Sequence, residues 1–156
     1  MDIGIGLDKK GREEISKVLN KYLANLNVLY TKLHNYHWNV EGNEFFQIHE
    51  EMEGLYDETA EEIDEVAERI LTLGFRPAAS MKEYLEIAEL EEVESKGIRG
   101  KDIVKNLLND FSILIDELRK GIKIAEEYED EVSIDLMVGS LESLEKTSWM
   151  FRAYLS

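Results

Sequence analysis

The sequence predicts an all-α protein, a four-helix bundle with a short extra helix in the connection between the second and third long helices. Apolar residues recur every three or four positions over four long stretches, which is the pattern of helices packed in a bundle. Proline occurs once, and no segment shows the alternating pattern of a β-strand. A chain of 156 residues with 44% hydrophobic side chains is expected to form one domain, residues 1–156.

The first two long helices are predicted over residues 11 to about 39 and about 44 to 73. Gly42 and Asn43 separate them, and Gly74, followed by Pro77, ends the second. The expected core positions of the first helix are Ile15, Leu19, Tyr22, Leu26, Leu29, Leu33 and Tyr36. Those of the second helix are Ile48, Met52, Leu55, Thr59, Ile63, Val66, Ile70 and Leu73.

The second half of the chain is predicted to form a short helix followed by two more long helices. Ser80 is expected to cap that helix, which continues to Leu90. The third long helix is predicted over residues 101 to 128. The acidic run at 126–131 marks a turn, and the fourth helix then continues to the end of the chain.

Composition restricts the partners and the chemistry. A net charge of −16 makes DNA binding unlikely, because affinity for nucleic acid depends on cations that neutralise phosphates, whereas dissolved cations are attracted. The absence of cysteine excludes disulfides, zinc–thiolate sites and thiol catalysis. The N-terminus lacks a basic and apolar leader pattern, and no apolar run approaches the roughly eighteen residues of a membrane span. A cytoplasmic protein is therefore expected.

All histidines of the chain lie close together, at His34, His37 and His49. His37 ends the first predicted helix and is expected to fold back beside His49 on the second. Carboxylates follow along that second helix. Imidazole nitrogens together with carboxylate oxygens suit Fe²⁺, Zn²⁺ and Mn²⁺.

The spacing of these residues indicates a metal site shared between chains. His49 and Glu53 are four residues apart, as are Asp64 and Glu68, so each pair lies on one helix face. The step from Glu53 to Asp64 spans roughly 16 Å along a helix, whereas metal–ligand bonds are about 2.0–2.2 Å long. The pairs therefore bind different ions, or a second chain completes the site. An antiparallel copy about a two-fold axis near residues 58–59 would form two identical sites.

Other interpretations of the same residues stay open. A His–Glu or Asp–Glu pair four residues apart is most often solvated helix surface. A histidine within Tyr36-His37-Trp38 is more often a core residue than a ligand. A helical dimer with a structural zinc at the same positions is a further alternative. The concentration of every histidine in one region favours the metal site.

The segment from His37 to Arg69 closely resembles the Dps family, the DNA-binding proteins from starved cells, also called mini-ferritins. The resemblance continues to the C-terminal helix and covers nearly the whole chain. The matching residues are His37-Trp38-Asn39-Val40-Glu41-Gly42, Phe45, His49-Glu50, Glu53, Asp64-Glu65-Val66-Ala67-Glu68-Arg69 and Trp149-Met150-Phe151.

The resemblance implies a ferritin-like bundle and a hollow shell of twelve subunits, a dodecamer, that protects against oxidative stress. Such a shell oxidises Fe²⁺ with hydrogen peroxide or dioxygen and stores Fe³⁺ mineral. The resemblance places ferroxidase sites at two-fold interfaces, with His37, His49 and Glu53 from one subunit and Asp64 and Glu68 from its partner. The family's most familiar residue at position 53 is aspartate, so the longer glutamate leaves the coordination distance open.

Larger ferritins instead use a Glu-x-x-His motif within one chain. Here the residues three before His37 and His49 are His34 and Phe46, so this motif is absent. His34 is interpreted either as an additional metal ligand or as a polar interface residue.

The resemblance also suggests roles near the metal site and at a pore. Carboxylates at the start of the last helix, here Asp130 and Asp135, would line a three-fold pore for iron, unless this turn is ordinary solvated surface. Tyr36 and Trp38 either intercept oxidising equivalents or are simply buried aromatics. A DNA-compacting shell with weak metal chemistry is the alternative function, although the lysine-rich tail of DNA-coating members is missing from the sequence.

Overall fold

Among the residues that the structure describes, the fold consists of four long helices and one short helix, which confirms the predicted fold class. The structure is a computed structural model that describes residues 2–156, so Met1, the first residue of the predicted domain, lies outside the described part. The helices are α1 (Lys9–Asn39), α2 (Phe45–Thr72), α3 (Met81–Ile87), α4 (Gly100–Glu127) and α5 (Glu131–Leu155). Among the described residues, no helix is both long and apolar enough to cross a membrane.

The helix ends follow from local capping. α1 begins two residues before the predicted Gly11, because the Asp8 side chain accepts a hydrogen bond of 2.7 Å from the Gly11 amide. α2 ends before Gly74, whose φ of +90° is unfavourable for other residues. α3 is capped by Ser80 as predicted but ends at Ile87.

The segment after α3 is extended because the bundle binds its backbone. Leu90, predicted as the end of a helix, is instead a buried residue of an irregular connection. The completely buried Asn25 of α1 accepts hydrogen bonds from the amides of Glu89 and Leu90, at 2.8 and 3.0 Å. A buried side chain from another part of the chain thus replaces the last turn of the predicted helix.

Two short strands correct the expectation that the chain contains no β-structure. β1 (Val40–Glu41) pairs in parallel with β2 (Ile98–Arg99), with Val40 opposite Ile98. Two residues are too few to show an alternating hydrophobic pattern, so the sequence carries no visible signal for them. The pairing fastens the connection before α4 to the chain reversal between α1 and α2.

The core lies where the apolar faces of the long helices meet. α1 packs along α2, α4 packs along α5, and α1 and α4 join the two pairs. The residues predicted for the α1 core are all buried, α2 contributes Ile48, Met52, Val66 and Ile70, and the buried Leu73 follows the end of α2. Burying each large aliphatic side chain contributes about 1.5–3 kcal/mol, so these faces fix how α1 and α2 lie against each other.

A buried ion pair connects α2 to the turn between α4 and α5. The Arg69 guanidinium contacts the Asp130 carboxylate at 2.8 Å and donates to the Ser133 hydroxyl at 2.9 Å. Asp130 also caps α5 by accepting from the Ser133 amide. Burial opposes ionisation of Asp130, but the bonds from Ser133 and Arg69 outweigh it and lower the pKa of Asp130.

Asp130→Asn should destabilise the protein by about 3 kcal/mol, because Arg69, whose side chain is only 11% exposed, would lose its charge partner. A carboxyl whose pKa is lower in the folded state contributes stability above its unfolded pKa, and this stability is lost as the pH falls through the folded pKa. The variant should therefore lose part of the acid dependence of the wild type. Urea unfolding at neutral and acidic pH measures both effects.

Asp135→Asn is the matched control, because the same substitution then falls on an exposed residue of α5. Its free energy of unfolding should stay within about 0.5 kcal/mol of the wild type. Equal losses in the two variants would contradict a special role for the ion pair.

Candidate metal centre

The chain reversal between α1 and α2 brings His37 and His49 together, as predicted from their positions at the facing ends of the two helices. Their rings stack with centroids 3.6 Å apart and planes inclined by 12°. The ring of Phe45 also stacks on His49, with centroids 5.0 Å apart. His37 is buried and His49 is half-buried.

Each ring of this histidine pair is held by the backbone of the other residue. The His37 Nδ1 lies 2.6 Å from the His49 carbonyl oxygen, and the His49 Nδ1 lies 2.7 Å from the His37 carbonyl oxygen. A carbonyl oxygen only accepts, so each Nδ1 carries the proton and donates it. In the neutral rings Nε2 then keeps its lone pair, which is the form that binds a metal ion.

Tyr56 is a component of the site that the sequence analysis missed. Its ring stacks on His34, with centroids 3.9 Å apart, and meets the His37 ring edge-on at 5.3 Å. Its hydroxyl donates to Glu53 Oε1 at 3.3 Å. Partial burial and then the charge of Glu53 raise the pKa of Tyr56, so the phenol remains protonated. The three-residue spacing from Glu53 on one helix was the available signal.

His34 is oriented in the same manner as the other two histidines. Its Nδ1 lies 2.9 Å from the Tyr30 carbonyl oxygen, which again leaves Nε2 as the free nitrogen. The ring also contacts Trp38, with centroids 5.3 Å apart. His34 therefore belongs to the aromatic surroundings of the histidine pair.

The predicted acidic ligands occupy α2 in two groups. Glu53, Asp64 and Glu68 are all exposed. Because α2 is one continuous helix of 28 residues, the estimate of roughly 16 Å between Glu53 and Asp64 applies to it. Within residues 2–156 no three His, Cys, Asp or Glu side chains are arranged to hold a metal ion. The predicted ligands of one chain thus form two separated half-sets, the histidine pair with Glu53 and Asp64 with Glu68, and in the single chain Glu53 is not gathered with the two histidines around a metal position.

The other predicted functional residues have different surroundings. Asp130 is 2% exposed and its charge is compensated by Arg69, so it is a helix cap and an ion-pair partner. Asp135 is exposed on α5. Tyr36 is buried and its hydroxyl accepts from Asn106, whereas Trp38 is 69% exposed. The description of both as buried aromatics is therefore wrong for Trp38.

Comparison with known proteins adds evidence independent of this geometry. Residues 16–156 match the Ferritin family model, a ferritin-like domain. The chain is 46% identical to DNA protection during starvation protein 2 of Bacillus anthracis over 144 residues, which cover 92% of this chain and 98% of that protein.

Solved structures show the same fold. The Dps protein of Vibrio cholerae O1, described as a member of a broad superfamily of ferritin-like diiron-carboxylate proteins, matches with a TM-score of 0.94 at 38% identity, covering 98% of this chain and 96% of that one. A Listeria innocua Dps variant matches with a TM-score of 0.87 at 37% identity, covering 90% and 93%. In that variant two histidines are replaced by glycine, and they lie as far apart in sequence as His37 and His49.

Replacing both His37 and His49 with asparagine should abolish metal binding at the pair without unfolding the protein. The asparagine amide can donate where Nδ1 donates, but nothing replaces Nε2. Titration with Co²⁺, followed by its visible absorption, should show loss of the nitrogen-ligated site, while the free energy of unfolding changes by less than about 2 kcal/mol. Unchanged Co²⁺ spectra in the folded variant would show that the pair is not a ligand.

Proposed function

The chain belongs to the Dps family of ferritin-like proteins, and we propose that it oxidises Fe²⁺ and stores the Fe³⁺ product, with hydrogen peroxide or dioxygen as oxidant. Iron is the substrate and the cargo. The observation that carries the proposal is the histidine pair, in which each Nδ1 is bound to a backbone carbonyl and each Nε2 is left for a metal ion. Nitrogen and carboxylate donors hold Fe²⁺ and leave coordination positions for the oxidant.

We propose that a second subunit completes each site. His37, His49 and Glu53 of one subunit would face the partner subunit's Asp64 and Glu68 across a two-fold axis. Within one chain, the distance along α2 keeps the two half-sets apart. A two-fold interface would bring each half-set of one chain to the other half-set of its partner. Membership of the Dps family supports the further proposal that twelve such subunits form a closed shell in the cytoplasm.

The donor set suits both steps of the reaction. Peroxide accepts two electrons, so its reduction balances as two Fe²⁺, one peroxide and two protons giving two Fe³⁺ and two waters. Carboxylates favour the harder Fe³⁺ product. With −16 charges on each subunit, the shell would attract Fe²⁺ and retain mineral nuclei.

We propose that Asp135 lines a pore through which iron enters. Asp130 is not proposed for this role, because its carboxylate is paired with Arg69. Asp135 is exposed near the start of α5, as is Glu131. A ring of three such helix starts would concentrate Fe²⁺ at a pore. The buried pair of Arg69 and Asp130 would hold the turn that carries them.

Oxidation and the shared site can be tested in one experiment. A His37→Asn/His49→Asn chain and an Asp64→Asn/Glu68→Gln chain should each fail to oxidise anaerobically loaded Fe²⁺ when peroxide is added. Mixed dimers of the two would contain one site with every ligand and one that keeps only Glu53. With random mixing at equal amounts, half of the pairs are mixed, so about a quarter of the wild-type sites should return.

The outcomes separate the alternatives. Recovery of oxidation in proven mixed assemblies supports shared ferroxidase sites. Full activity of either variant on its own would show that the residues substituted in it are not required. A wild-type protein that binds Zn²⁺ tightly but never oxidises Fe²⁺ would instead favour the structural zinc dimer.

DNA protection by direct binding is the second candidate, because relatives carry the name DNA protection during starvation protein. The charge of −16 argues against it, since phosphates would be repelled. No shift of linear DNA is expected in a gel assay at ~150 mM salt with a chelator present. A shift under those conditions would establish binding without bridging metal ions.

A further inference from the structure

Among the described residues, α2 exposes two large apolar side chains to solvent. Phe46, in its first turn, is 82% exposed, and Leu71, in its last turn, is 52% exposed. Isolated apolar residues are common on protein surfaces, so exposure alone says little. The position of these two residues on the helix is what requires an explanation.

Both side chains lie on the helix face that carries the proposed metal ligands of α2. At about 100° per residue, Phe46 and Leu71 fall within the same arc of roughly 100° as those ligands. Each lies three residues beyond a ligand, Phe46 before His49 and Leu71 after Glu68. This face of α2 therefore has an exposed apolar residue at each end.

A second copy of the chain, placed as the shared metal site requires, would bring these two residues together. His49 then lies opposite Glu68 of the partner subunit in an antiparallel pair of α2 helices. Three residues further out along both helices, Phe46 lies opposite the partner subunit's Leu71. Within one chain the two residues are about 38 Å apart along the helix, so only a second chain can join them.

The charges on the same face make an attractive contact necessary. In this arrangement Glu53 lies opposite Asp64 of the partner subunit, and like charges that face each other repel. The one Lys or Arg of α2 is Arg69, which is paired with Asp130 of its own chain. Without a bound cation the centre of the interface therefore opposes association, and burial of apolar surface at its ends would offset that repulsion.

We propose that Phe46 and the partner subunit's Leu71 form an apolar contact at both ends of this interface, which sets the register of the two helices and closes the outer edge of each metal site. This inference rests on the proposed function, which supplies the pairing of α2 with its copy. Phe46 meets Phe45 edge-on at 5.3 Å between centroids, and Phe45 stacks on His49. A slip of one helix turn would leave Phe46 and Leu71 exposed and would separate the two half-sets of ligands.

The test uses the full-length protein with a chelator, so the result does not depend on metal binding or on oxidation. Phe46→Lys chains and Leu71→Glu chains are refolded together in equal amounts, and native mass spectrometry counts the dimers that form at low protein concentration. A dimer of either variant with itself has a charge opposite an apolar residue at both ends. A mixed dimer has opposite charges at one end and the wild-type contact at the other. Mixed dimers should therefore be favoured at least tenfold, giving about nine-tenths of the total instead of the half expected from random pairing.

Val138→Glu is the matched control for Leu71→Glu, because Val138 is an aliphatic residue of α5 that is 45% exposed. When Val138→Glu chains are mixed with Phe46→Lys chains, the two substitutions do not meet, so about half of the dimers should be mixed. If a charged variant does not fold, Phe46→Ala and Leu71→Ala chains replace the pair. Mixed dimers should again exceed half, because they retain one intact contact and each variant alone retains none.

The outcomes separate this contact from the proposed function. Random pairing of the Phe46→Lys and Leu71→Glu chains would overturn the contact, even if both variants associate weakly, because a different surface of the assembly would then cover these residues. A wild type that forms no two-fold dimer would overturn both the contact and the shared site. Selective pairing in a protein that never oxidises Fe²⁺ would support the contact and overturn only the proposed function.

Discussion

The reciprocal hydrogen bonds between His37 and His49 are the interaction on which the rest of the site depends. Each ring is fixed by the other residue's main chain, so a change in the reversal between α1 and α2 would disturb both rings together. The same bonds decide which nitrogen is protonated and therefore which nitrogen can bind metal. The bundle core fixes the ends of α1 and α2, and the parallel pair β1 and β2 fastens the reversal between them.

The second constraint is the distance along a helix, which rises by about 1.5 Å per residue. Ligands that are eleven or more residues apart on α2 cannot converge on one ion, whatever their side-chain conformations. The shared site proposed above would therefore need association of two chains as well as folding. Exposure of Asp64 and Glu68 in the single chain fits that requirement, because an interface would be needed to bring these carboxylates to the histidines of another chain.

The sequence predicted the parts of the fold that depend on repeated local patterns. The α1 core positions follow from the periodicity of the apolar residues, and the proximity of His37 to His49 follows from the facing ends of the two helices. Both can therefore be predicted from the sequence. The extended backbone at Leu90 cannot be predicted in this way, because it depends on a hydrogen bond to the buried side-chain amide of Asn25, which is far away in the sequence. The pairing of Asp130 with Arg69 also depends on a residue far away in the sequence. An acidic turn gives no indication that a cation on another helix lies against it.

The histidine pair lies within one hairpin of consecutive helices, a feature with consequences for the order in which the protein matures. Contacts between neighbours in sequence need little loop closure and are expected to form early in folding. The nitrogen donors would then be in place on a newly folded monomer, before any carboxylate from another subunit arrives. If activity requires the shared site proposed above, its acquisition would follow second-order kinetics in protein concentration, and dilution during refolding would lengthen the delay without changing the folded chain.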